Sequence, residues 1–142
     1  MLLRRTAMFT LSVGLLAPAM AAAATLDEQV RTAYAAWDAA FGKSDAKAIG
    51  AFYTDDAFFL PPTHDIIRGP AGVEKFFAGL FTAGVTTGHK LELIEANGTP
   101  ELIVAAAKWS ARSKDGPIGG VATHEFSRQA NGDLKLRLHT FN

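Results

Sequence analysis

The side chains of this sequence that could move a proton near neutral pH are four histidines, at positions 64, 89, 124 and 139. There is no cysteine, and no Gly-x-Ser-x-Gly elbow, phosphate loop or His-Glu-x-x-His helix is present. Covalent hydrolysis, nucleotide chemistry and a bound cofactor are therefore not expected. No two histidines are spaced to share a local face. His124 and Glu125 are neighbours on a strand and point to opposite sides. Since zinc needs three or four converging ligands, no metal site is expected. Asp55-Asp56 follows a helix end and His64-Asp65 follows Pro61-Pro62, so both carboxylate-bearing pairs read as turns.

His124 is the candidate for chemistry. On its strand Ile118, Ala122, His124 and Phe126 share one side, and Val121, Thr123, Glu125 and Ser127 share the other. Phe126 marks the His124 side as interior. Across Asn131-Gly132, a two-residue turn would set His124 opposite His139. A three-residue turn with a glycine bulge instead sets His124 and Phe126 beside the leucines at 134, 136 and 138 and Thr140. Apolar matching favours the bulge, with His124 inward and His139 outward. His124 then serves as general acid or base or as a polar anchor; the alternative is a hydrogen-bonded core histidine without catalysis. Tyr34, Trp37, Tyr53, Phe59, Phe77, Trp109 and Phe126 are read as lining an apolar pocket around it, because buried Tyr and Trp each carry a polar handle that needs a partner.

These residues must be positioned by local elements. Leu26, Val30, Tyr34, Trp37 and Phe41 form the stripe of an amphipathic helix, with Thr25 to Glu28 as its capping box and Gly42 as its stop. A short second helix is expected from about Asp45 to Tyr53, weakened by Gly50. Ala57–Leu60 reads as a strand, with Asp65–Gly69 as its hairpin partner. Pro70 opens a third helix carrying Val73, Phe76, Phe77, Leu80 and Phe81. Four antiparallel strands follow near Thr87–Ala96, Glu101–Ser113, Ile118–Gln129 and Leu134–Phe141, separated by Asn97-Gly98, Asp115-Gly116 and Asn131-Gly132. This is an α+β order, three helices covering one face of a long sheet.

The chain has 142 residues, 49% of them hydrophobic, with 14 basic and 14 acidic side chains. One folded domain fits these numbers, and the lack of a basic run argues against a nucleic-acid partner. Residues 1–24 read as a signal peptide: Arg4-Arg5, an apolar stretch from Ala7 to Ala17, then Ala22-Ala23-Ala24 before a cut. Thr6-Ala7-Met8 lacks the apolar pair of a twin-arginine signal, so the general export route is favoured. Residues 25–142 form the expected mature domain, periplasmic or secreted, with no membrane contact after cleavage. Without cysteine in an oxidising compartment, its core alone must hold it. On the long strand, Leu102, Val104 and Ala106 continue the side of Lys108, Ser110 and Arg112 as an apolar patch, which points to a homodimer through the outer face of the sheet.

The runs Ser44–Ile49 and Phe52–Ala57, then Leu60-Pro61-Pro62, Ile67-Arg68-Gly69 and Asn131-Gly132 through His139–Asn142, resemble the SnoaL-like, nuclear-transport-factor-2-like families, which include the ketosteroid isomerases. Within them the chain is similar to small bacterial proteins of unassigned function. The resemblance implies a strongly curved antiparallel sheet forming a conical pocket closed by helices, and often a dimer. Carried across from the ketosteroid-isomerase branch, the base position falls at Pro61, the helix tyrosine at Trp37 and the strand aspartic acid at His124. Pro61 and Trp37 cannot do the original work, so steroid isomerisation by that route is not implied. The leading expectation is an exported domain that binds a small apolar organic molecule, with His124 and Tyr34 or Tyr53 as anchors. An acid/base enzyme of isomerase, cyclase or dehydratase type using His124 is the second, and a dimeric interaction module the third. A cavity of several hundred cubic ångströms, the usual ligand-site scale, would support the first two.

Overall fold

The structure is a computed structural model and describes residues 22–84 and 87–142. Most of the expected signal segment, residues 1–21, lies outside the described residues. Among the described residues no helix is long and apolar enough to cross a membrane.

The first helix, α1 (Leu26–Gly42), begins with the expected capping box, Thr25 and Glu28 each accepting from the other's backbone N–H. Its buried stripe is Val30, Tyr34, Trp37, Ala40 and Phe41. Helix α2 spans Ala46–Ala51, capped by the Asp45 side chain on the Ala48 N–H. Gly50 has a packing reason: a Cβ there would lie 2.7 Å from the Pro70 carbonyl of α3 (Gly69–Thr82), so the glycine lets the two helices close.

Strand β1 (Tyr53–Leu60) starts four residues earlier than the sequence pattern indicates. Tyr53 is therefore a strand residue, and Asp55-Asp56 is not a turn. Both aspartates are exposed within β1, where its register against the last strand shifts between Tyr53 and Phe58. Propensity near Asp-Asp is weak, and tertiary pairing overrides it. The turn reading of His64-Asp65 fits: His64 is exposed at φ 68 and its N–H reaches the Pro61 carbonyl.

Strands β2 (Ile67–Arg68), β3 (Thr87–Gly98), β4 (Leu102–Ser113), β5 (Gly116–Arg128) and β6 (Leu134–Phe141) complete one six-stranded sheet in the order β2-β1-β6-β5-β4-β3. The sheet is mixed rather than wholly antiparallel, because β1 runs parallel to β6. It curls without closing, and the three helices cover its inner face. The fold is α+β, the cone expected. On the outer face of β4 and β5, Leu102, Val104 and Val121 are 39%, 45% and 49% exposed.

The β5–β6 ladder decides which histidines face inward. Next to the turn the register is the even one, Phe126 opposite Leu136. It then slips by one at a bulge, setting Glu125 opposite Leu138 and His124 opposite His139. Arg137 is the extra residue, and the alternation of β6 resets beyond it. Leu136 and His139 are consequently both buried, with Arg137 exposed between them. The expectation that His139 faces outward is corrected: the leucine matching is satisfied only up to the bulge.

Candidate functional site

Inside the cone two tyrosine–histidine pairs lie side by side. The Tyr34 hydroxyl on α1 is 2.7 Å from Nδ1 of His124, and the Tyr53 hydroxyl on β1 is 2.7 Å from Nδ1 of His139. The two imidazoles face each other across β5 and β6, ring centres 4.4 Å apart. Burial, with a smaller repulsion from His89, lowers the His124 pKa to about 3. His139 is held well below the usual histidine range by burial and then by repulsion from His124 and His89. Burial raises both tyrosine hydroxyls, so each pair is neutral at pH 7.

The surroundings of the pairs differ. His124 is 1% exposed, and its Nε2 is sealed with no hydrogen-bond partner among the described residues. It borders only a void of about 20 Å³, beside Tyr34, Phe126, Leu134 and Leu136. His139 lines a cavity of about 150 Å³ between α1, α3 and the inner face of the sheet, partly open to solvent. A wider open groove of about 610 Å³ runs along the start of α1 and the start of β6, away from all three inner histidines.

The expected pocket residues separate accordingly. Trp37, Phe77 and Trp109 line the 150 Å³ cavity. Tyr34, Phe126 and His124 sit at the smaller void, which Trp37 also borders. Tyr53 and Phe59 are fully buried behind His139 and line neither space; Phe59 packs on Phe76, Phe77 and Phe141. Trp109 is oriented by its indole N–H donating to the Asn142 carbonyl at 2.9 Å. Gly120 lies opposite Trp109 on β5, and a Cβ there would collide with that same carbonyl.

The polar group that sequence reasoning named but did not place in the pocket is His89. Its Nδ1 lies 2.8 Å from Oδ1 of Asp38 on α1, and Oδ2 of Asp38 accepts the Leu91 N–H at 2.9 Å. The ring lines the larger cavity, as do Phe41 and Phe141. A signal for it exists in the sequence: His89, Leu91 and Leu93 alternate on one side of β3, and Asp38 follows Tyr34 by one helical repeat. No group of three metal-ligating side chains comes together among the described residues.

An aromatic cavity with two histidines on its wall can enclose a small apolar molecule and offer it one or two hydrogen bonds. Solved structures of similar shape come from several bacteria. A ketosteroid isomerase-like protein from Erwinia carotovora atroseptica SCRI1043 is 16% identical, with a TM-score of 0.68 over 80% of this chain and 92% of that one. An NTF-2 like protein of unknown function from Shewanella oneidensis MR-1 is 10% identical, with a TM-score of 0.71 over 81% of this chain and 97% of the other. A domain of unknown function with a cystatin-like fold from Nostoc punctiforme PCC 73102 is 10% identical, with a TM-score of 0.73 over 82% and 76%. These identities establish the fold alone. No curated protein matches the sequence. The SnoaL-like domain family does match, over residues 30–135. With three quarters of its length inside that match and the nuclear-transport-factor-2-like cone as its architecture, the chain belongs to the SnoaL-like domain family.

Proposed function

We propose that this SnoaL-like domain is exported and binds one small, largely apolar organic molecule in the cavity between α1, α3 and the sheet. The observation that carries this reading is the cavity of about 150 Å³ walled by Trp37, Phe41, Phe77, Trp109 and Phe141, with His89 and His139 as its polar points. Its volume is below the several hundred cubic ångströms of a typical ligand site and matches a single aromatic ring, the scale at which a dry apolar cavity holds benzene. The part of the ligand held inside is therefore about one ring in size. His124 supports the assembly from behind, since one of its nitrogens is taken by Tyr34 and the other is sealed.

The test is native mass spectrometry of the exported protein, followed by titration with toluene monitored through tryptophan fluorescence. Saturable binding at one site is expected; the absence of both a retained molecule and a saturable response refutes the reading. Export is checked on the same sample, whose N-terminus should be Thr25 or lie within about three residues of it; intact Met1 on cytoplasmic protein refutes export. The exposed Leu102, Val104 and Val121 support a homodimer through the outer face of the sheet. Light scattering at micromolar concentration should give twice the chain mass, and a stable monomer would count against the dimer.

A further inference from the structure

We infer that His139 is a fixed hydrogen-bond donor of this cavity, its Nε2–H directed inward, and that the ligand presents an uncharged acceptor oxygen to it. The inference rests on the cavity being a small-molecule site and adds the chemical class of what it holds.

The place of the proton follows from Tyr53. Its side chain is fully buried, and Nδ1 of His139 at 2.7 Å is the one acceptor that its hydroxyl reaches among the described residues. Were a neutral imidazole to donate from Nδ1 instead, the tyrosine hydrogen would be stranded in a dry interior, a cost that the reverse arrangement avoids. The indole N–H of Trp37 also bears on the Tyr53 oxygen, where it works against the rise that burial causes in the hydroxyl's pKa, although it falls short of a full hydrogen bond. A donor on that side meets an oxygen lone pair, which leaves the hydroxyl hydrogen for His139. The neutral His139 ring therefore carries its own hydrogen on Nε2. A charged ring would carry one there as well, so Nε2 is a donor in either protonation state.

The direction of that N–H follows from the same bond. Nδ1 is turned to Tyr53, which lies behind the ring and lines neither void, and the two nitrogens of an imidazole sit on opposite edges of the ring. Nε2 of His139 has no partner among the described residues, yet the sealed and unpaired side-chain nitrogens there are Nε1 of Trp37 and Nε2 of His124. Nε2 of His139 is thus open, and the space its ring borders is the cavity between α1, α3 and the sheet.

An unpaired donor on an aromatic wall selects what enters. A ligand with an acceptor gains a hydrogen bond, whereas a plain hydrocarbon leaves the N–H desolvated and unpaired. Anions are not favoured. The other histidine on the wall, His89, lies 2.8 Å from Asp38, and with the carboxylate ionised that pair carries no net positive charge whether or not the imidazole is protonated. Nothing on the wall then offsets the cost of bringing a carboxylate among aromatic rings. A ketone, ester or ether oxygen meets the donor without that cost.

The experiment compares acetophenone with isopropylbenzene, which share a shape and differ in the carbonyl oxygen. Calorimetry gives dissociation constants of both for the wild-type chain and for His139→Phe, which keeps a ring and removes the donor. The ratio of acetophenone to isopropylbenzene affinity should fall about tenfold in the variant, the loss expected for one hydrogen bond. Nitrogen NMR of the wild-type protein near neutral pH does not depend on the variant folding. It should find the His139 proton on Nε2, and that N–H should shift on adding acetophenone far more than on adding isopropylbenzene. An unchanged affinity ratio, a proton on Nδ1 alone, or equal shifts for the two compounds overturns the donor assignment and leaves the cavity reading standing. If neither compound binds the wild-type protein, the donor assignment falls, and the toluene titration by itself decides the cavity reading.

Discussion

The pairs Tyr34–His124 and Tyr53–His139 have the same chemistry and the same 2.7 Å hydrogen bond, and they occupy adjacent strands. Only the second borders a space that a ligand could use. Around His124 the side chains of α1, β5 and β6 converge until a void of about 20 Å³ remains, too confined for anything beyond a single water. Around His139 the walls are large flat rings from α1, α3 and β4, which meet at angles and leave about 150 Å³. Chemical identity and burial therefore do not separate a structural histidine from one that can meet a ligand. The space beside the second nitrogen does.

The comparison breaks most decisively under truncation. His124→Ala should cost about 4 kcal/mol of unfolding free energy, from the cavity it opens and the Tyr34 hydroxyl it leaves unpaired, with no specific effect on toluene binding by the folded fraction. His139→Ala should cost about 2 kcal/mol, because its void merges with existing space, and should change toluene affinity. Denaturant unfolding and calorimetry on both variants check this. Equal stability losses with equal binding changes would show that the two pairs are not distinct.

Acid should come next in size. For a histidine whose folded pKa is depressed, the unfolded chain takes up the proton first, so stability is intact above the ordinary value of 6.5 and declines as pH falls below it. For His124 the decline continues to about pH 3; for His139 it extends well below 6.5 as well. Between pH 6.5 and 5 the two together should remove about 3 kcal/mol, the slope for each approaching 1.4 kcal/mol per unit. Replacing His139 by Gln should roughly halve that loss. A flat stability profile over this window would mean that neither ring is buried as a neutral species, and a loss of about half this size that only one is.

The smallest effect sharpens the contrast at single atoms. Tyr34→Phe leaves His124 with neither nitrogen paired and should destabilise by about 2 kcal/mol, while Tyr53→Phe should cost about 1 kcal/mol, since His139 keeps access to the cavity. Thermal unfolding of the two variants side by side gives the difference, and a larger loss for Tyr53→Phe would reverse the assignment of sealed and open pairs.

Local order was legible wherever the physics is local. The Leu26-to-Phe41 stripe, the Thr25–Glu28 capping box and the inward face of His124 each follow from spacing along a short segment, and each is present; of the expected glycine turns only Asn131-Gly132 lies between strands, since Asn97-Gly98 pairs within β3 and Gly116 opens β5. The cone followed from the resemblance and is present too. Tertiary structure alone decided the rest. One unpaired residue, Arg137, turned His139 inward, and no count of alternating leucines contains that slip, because the bulge is set by the whole β5–β6 ladder and its meeting with β1. Tyr53 moved from a helix end to a strand by pairing with β6. Asp38 and His89 are 51 residues apart, and they meet only because α1 packs across β3. Periodicity along the chain determined which faces are apolar; which polar groups those faces bring together depended on register and packing, which distant segments fix jointly.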